Sequence, residues 1–128
     1  MDALQNLVVW RRACRFAVDV YRLLSDCRDY GFKDQLGRSA LSIASNIAEG
    51  YERESARERA HFLKIARGSA AEAWTQLLIG MEAGFVNKAD ALEKAGEARQ
   101  HFENAFRFDK THGRQGQVKT ELRAKERS

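Results

Sequence analysis

Apolar residues recur along this chain at alternating spacings of three and four, which is the signature of α-helices packing on a core. Leu7, Trp10, Cys14, Ala17, Tyr21 and Leu24 form one such seam, predicting a first helix from about Asp2 or Leu4 to Ser25–Cys27. Leu36, Ala40, Ile43 and Ile47 form a second, predicting a helix over about 32–49 with Gly50 as the left-handed residue that stops it. A third helix is expected from Ser55, where "SARE" has the form of a capping box, to about Ala83, with Gly84 as the stop. The fourth opens at "NKAD", with Asn87 as cap and Asp90 at the positive helix end, and carries Leu92, Ala95, Phe102, Ala105 and Phe106. Short connections make successive helices antiparallel. The expected fold is all-α, an up-down-up-down antiparallel four-helix bundle over residues 1–108.

Apolar periodicity fades after Phe108, so residues 109–128 read as a polar, basic, flexible tail. The chain's formal charge of +4 is concentrated there: residues 110–128 hold six basic and two acidic side chains, leaving a body neutral overall. Basicity alone is therefore poor support for a nucleic-acid face on the folded part. The 128 residues contain no proline, in keeping with long uninterrupted helices. The two cysteines, Cys14 and Cys27, are thirteen residues apart in the expected first helix, ~20 Å, too far to bridge. Reduced cysteines, no signal-like segment and no apolar run long enough to span a bilayer suggest a cytoplasmic protein without membrane partners.

Helix 1 is apolar over roughly 220°, where one core-facing stripe needs only ~100°. Val9, Phe16, Val20 and Leu23 form the excess. They are expected to be covered by another copy of the chain.

Catalytic chemistry finds little support. "ERAH" gives Glu58-x-x-His61, half of a carboxylate-bridged metal motif, but no second E-x-x-H exists and both residues project onto a polar face. Glu97 and His101, four apart, read as a surface pair. Ser39, Ser42, Ser45 and Ser69 have no nearby histidine, and no phosphate-loop glycine pattern occurs. "ARGSAAEA" lies inside the third helix, where Gly68, Ser69, Ala70 and Ala71 would let a neighbouring helix approach closely. No catalytic residue, metal or cofactor is expected, and the chain reads as non-enzymatic.

Two constellations remain. Arg11, Arg12, Arg15 and Arg22 share a face of helix 1, and Arg53, Arg57 and Arg59 cluster at the start of helix 3. Acidic neighbours such as Asp19, Asp26, Glu52 and Glu58 could make these ordinary solvated faces. Repeated around an oligomer, the same arginines (Arg11, Arg12, Arg15, Arg22, Arg53 and Arg57 above all) would add their phosphate contacts and bind RNA or DNA. On the helix that carries "SIASNIAEG", Ser39, Ser42, Asn46 and Glu49 form a polar stripe with Arg38 as a further partner. The stripe is expected to hold neighbouring helix ends or the 50–55 turn that leads to Ser55.

The blocks "LVVWRRA", "QLGRSALSIASNIAEGYER" and "FLKIARGSAAEAWTQLLI" resemble, in order over about residues 4–108, the 23S rRNA intervening-sequence proteins. Relatives of that family are the accessory variability determinant proteins of diversity-generating retroelements. Proline is common in the family before helix 2 and within "SI-x-SNIAEG", where this chain has Ala44. The resemblance implies a short up-down bundle assembled as a homopentamer, with contacts to nucleic acid or to a partner protein such as a reverse transcriptase. It supplies no catalytic residue.

Overall fold

A computed structural model describes residues 3–104. The boundary expected at 108, the tail, and the expected anchors Ala105 and Phe106 lie outside the described residues. A 3₁₀ turn over Ala3–Asn6 leads into α1 (Val8–Leu23), α2 (Tyr30–Glu52), α3 (Ala56–Ala83) and α4 (Lys88–Glu97), which continues as a π-helical turn over Ala98–Glu103. The described residues contain no strand, and the four helices pack as an antiparallel bundle.

Three of the four α-helices start at side-chain caps; α1, after Leu7, does not. Asp29 Oδ1 accepts from Phe32 N at 2.9 Å, Ser55 Oγ from Glu58 N at 3.1 Å, and Asn87 Oδ1 from Asp90 N at 3.0 Å. Each satisfies a first-turn donor that the helix itself leaves unpaired. The Asp29 cap begins α2 two residues before the position that its apolar seam suggests. Gly84, at φ 77°, ends α3 in the left-handed conformation, and Phe85 N closes back on Gly80 O at 2.8 Å.

Gly50 departs from expectation. It lies inside α2, which runs on to Glu52 and is capped by Arg53. The reason for a glycine here is close approach. A Cβ at Gly50 would stand 3.3 Å from Phe62 Cβ and 3.4 Å from Arg59 O, so α2 and α3 meet nearly backbone to backbone. Gly80 plays a similar part at the other end of α3, where the Phe32 ring occupies the space of its missing side chain and stacks at a tilt on Phe85.

The α2–α3 pairing is the most extensive in the bundle. Small buried residues explain it: Ser39, Ala40 and Ala44 on one helix face Ala66, Ser69, Ala70 and Ala73 on the other. Gly68, expected to share in this close approach, is instead on the exposed side, with open space where a Cβ would stand. On α4 the buried seam is Ala91, Ala95, Ala98 and Phe102, leaving Leu92 exposed.

The expected interface on helix 1 needs correction. Phe16 and Val20 are fully buried within the chain's own core, Val9 is buried as well, and Leu23 is half-buried against it. Phe16 packs edge-on against Phe102 with ring centroids 5.5 Å apart. The wide apolar arc has a physical cause inside one subunit. In a ring of four helices α1 touches both α2 and α4, so one flank (Tyr21 over Gly37) meets one neighbour and the other (Phe16) meets the second. Two contacts need roughly twice the ~100° of a single seam.

Candidate nucleic-acid interface

The side between α1 and α4 is the thinnest in the bundle, because α4 has only ten residues before its π-helical turn. A cleft of about 390 Å³ opens there. Arg11, Arg12 and Arg15 line it from α1, and Glu97 and His101 from α4 and the π turn, with Val8 and Phe102 below. The π turn closes with an Asn104 N to Arg99 O bond at 2.8 Å, a spacing of five residues. It brings both Phe102 into the core and His101 to the cleft.

The arginines gain no carboxylate partner among the described residues. Asp19, the expected neutraliser, instead accepts from Lys94 Nζ at 3.0 Å, and Lys94 Nζ also donates to Glu97 at 2.5 Å. One lysine thus holds the two nearest carboxylates, and the guanidinium groups of Arg11, Arg12 and Arg15 stay exposed. Arg12 Nη1 lies 3.4 Å from His101 Nδ1. A guanidinium only donates, so in this contact Nδ1 is the acceptor.

Burial pulls the Lys94 ammonium's pKa down, but the hydrogen bonds to Glu97 and Asp19 outweigh it and leave the pKa above its ordinary 10.5. A raised pKa in the folded state stabilises below the unfolded value, and that stabilisation is lost as pH rises through the folded one. Native stability should therefore fall between pH 9 and pH 11 more steeply in this chain than in K94M, as read by urea unfolding at the two pH values.

The remaining sequence-selected arginines do not join the cleft. Arg22 lies about 16 Å further along α1, in its last turn, where a cation suits the negative helix end. Arg53 and Arg57 sit at the α2–α3 turn, on the same end of the bundle as the start of α1. Arg57 is exposed. Arg53 is engaged by Glu49, at 2.6 Å, and lies over the Phe62 ring at 5.0 Å. Arg59, grouped with them by sequence, is buried and structural. Its Nη1 donates to Arg53 O at 2.8 Å and Glu54 O at 2.9 Å, tying α3 to the carbonyl end of α2. An arginine among apolar α3 positions could have signalled this: residues 59, 63, 66, 70, 73 and 77 share one face.

The polar stripe of α2 separates into three parts. Ser42 Oγ and Ser69 Oγ are 2.8 Å apart across the α2–α3 interface, while Asn46 Nδ2 donates back to Ser42 O and Oγ, both at 2.9 Å. Glu49 reaches Arg53, and Ser55 caps α3. Two corrections follow. Asn46 holds its own helix's Ser42 and no helix end. Arg38 pairs with Asp34 at 3.0 Å on the exposed surface, apart from the stripe. Helical side chains lean toward the N-terminus, so both reach one turn back along α2.

Among the described residues no group of His, Cys, Asp and Glu could hold a metal ion. Glu58 is exposed, and His61 packs edge-on against Phe62. Both cysteines are free thiols, and burial raises the pKa of Cys14, keeping it protonated and poorly nucleophilic at neutral pH. No described helix is long and apolar enough to cross a membrane.

Fold and surface together define a class: a small all-helical bundle with an arginine-lined cleft between its first and last helices. Residues 5–104 match the model of the 23S rRNA-intervening sequence protein family, and the chain belongs to that family. No curated protein matched it.

Proposed function

We propose that this chain is a non-enzymatic, self-associating bundle that binds nucleic acid, RNA in preference to DNA, through phosphate contacts from Arg11, Arg12 and Arg15. What carries the reading is that these three arginines face one cleft while Lys94 withdraws the neighbouring carboxylates from them. Arg57 extends the basic surface at the same end with Arg53 beside it, and Arg22 stands apart at the far end of α1; Arg53 and Arg22 are the weaker contributors. The family's description links it to ribosomal RNA, which favours RNA as the target. Assembly of identical subunits, a pentamer on the family resemblance, would multiply modest contacts into useful affinity. The reading places the protein in the cytoplasm.

Phosphate binding of this kind weakens steeply with salt and reads sequence poorly. Binding to unrelated RNA oligonucleotides should fall more than tenfold between 50 and 200 mM salt. Reversing Arg11, Arg12 and Arg15 to glutamate should cost more than tenfold at low salt. Absence of micromolar binding at low salt would sink the proposal.

A second reading, a ring that docks a partner protein, draws on exposed apolar side chains. Val18, Tyr21, Leu41, Ile65 and Ile79 are each about two-fifths or more exposed. Under it, the triple glutamate variant would lose no protein partner in a pull-down.

A further inference from the structure

We infer that the cleft between α1 and the π turn seats a phosphomonoester, which, on the nucleic-acid reading above, is the terminal phosphate of a strand. Three features separate this from general attraction to a phosphate backbone.

The first is shape. At about 390 Å³ the cleft falls within the ~300–1,000 Å³ of small-ligand sites. It is a local concavity between two elements, suited to one group, whereas a backbone-tracking surface runs as a groove along many phosphates. The second is charge. Arg11, Arg12, Arg15 and Lys94 bring four positive charges against the two carboxylates of Glu97 and Asp19, a net of +2. An internal phosphodiester carries a single negative charge. A terminal phosphate carries about −1.5 to −2 and offers three acceptor oxygens, a better match for several guanidinium forks. The third is the donor inventory. Arg11, Arg12 and Arg15 are pure donors. Among the described residues the cleft's aromatic groups are the small imidazole of His101 and the buried Phe102, so no tryptophan or tyrosine offers bases a wide stacking platform there. The cleft therefore recognises the phosphate and leaves the base unread.

The experiment uses the full chain and a short single-stranded RNA in three forms: 5′-phosphate, 3′-phosphate, and hydroxyl at both ends. Anisotropy titrations at low salt measure affinity. Inorganic phosphate is titrated separately while the His101 ring signals are followed by NMR. At least one terminally phosphorylated RNA should bind about fivefold or more tightly than the hydroxyl form. R12Q/R15Q should erase that preference with the helical circular dichroism unchanged, and R57Q should keep it. Saturable shifts of the His101 signals with inorganic phosphate, lost in R12Q/R15Q, would support the seat even if no RNA bound. That outcome would instead overturn the nucleic-acid reading. Equal affinity for all three RNAs overturns the terminal-phosphate seat and leaves backbone binding standing. No response to either RNA or inorganic phosphate overturns both.

Discussion

Phe16→Ala is expected to lower the free energy of unfolding by about 3–5 kcal/mol, the cost typical of emptying a fully buried aromatic site. Phe16 has no exposed surface, and its partner Phe102 is 1% exposed. Their edge-on contact joins α1 to the π turn, where the bundle has few other contacts to spare. For a domain of ordinary stability, about 5–15 kcal/mol, this is a large share. Urea unfolding followed by circular dichroism measures it. The same variant discriminates between two places for Phe16. Were the ring covered by a second copy, its removal would leave a folded chain of altered mass in light scattering. With the ring in the core, the midpoint of unfolding moves first. Phe102→Ala should cost a similar amount, and the double variant less than the sum, because both residues border the same space. A loss below about 1.5 kcal/mol for Phe16→Ala would mean that the core can close over the site.

Arg59→Met should cost about 1.5–3 kcal/mol, in the range for hydrogen bonds that involve a charged group. Methionine keeps much of the apolar stem and removes the donors, the two bonds to Arg53 O and Glu54 O among what is lost. These carbonyls belong to the end of α2 and the turn beyond it, where helix carbonyls lack internal partners and carry partial negative charge. A buried guanidinium answers both needs at once. The side chain is only 4% exposed, so added salt should change the loss little. Arg59→Lys should recover part of it, since an ammonium can donate to the same oxygens without the planar fork. A cost under about 0.5 kcal/mol for Arg59→Met would show that water serves the two carbonyls equally well.

The arginine cleft illustrates how a site can be half legible. Helical spacing alone puts Arg11, Arg12 and Arg15 on one face of α1. The same spacing puts Asp19 near that face, and a sequence reader must then treat the whole as balanced. The balance is broken by Lys94, 75 positions away, which takes Asp19 and Glu97 together. His101 was visible only as a residue four after Glu97. Its pairing with Arg12 depends on the π turn, whose extra residue per turn rotates the end of α4 and which no apolar periodicity announced.

By itself the sequence determined the helical class, the caps at Ser55 and Asn87, the stop at Gly84, and the α2 seam, which carries Leu36, Ala40, Ile43 and Ile47 into the core. These are local matters: a cap, a stop or a seam acts within one or two turns, so the residues that decide it are neighbours in the chain. Tertiary structure decided what required knowing who lies opposite. It turned Gly50 from a stop into a close approach and Arg59 from a surface cation into a buried clasp. It set Phe16 and Val20 against the chain's own α4 side and core. Burial and charge pairing depend on the second helix as much as on the first, and periodicity describes one helix at a time.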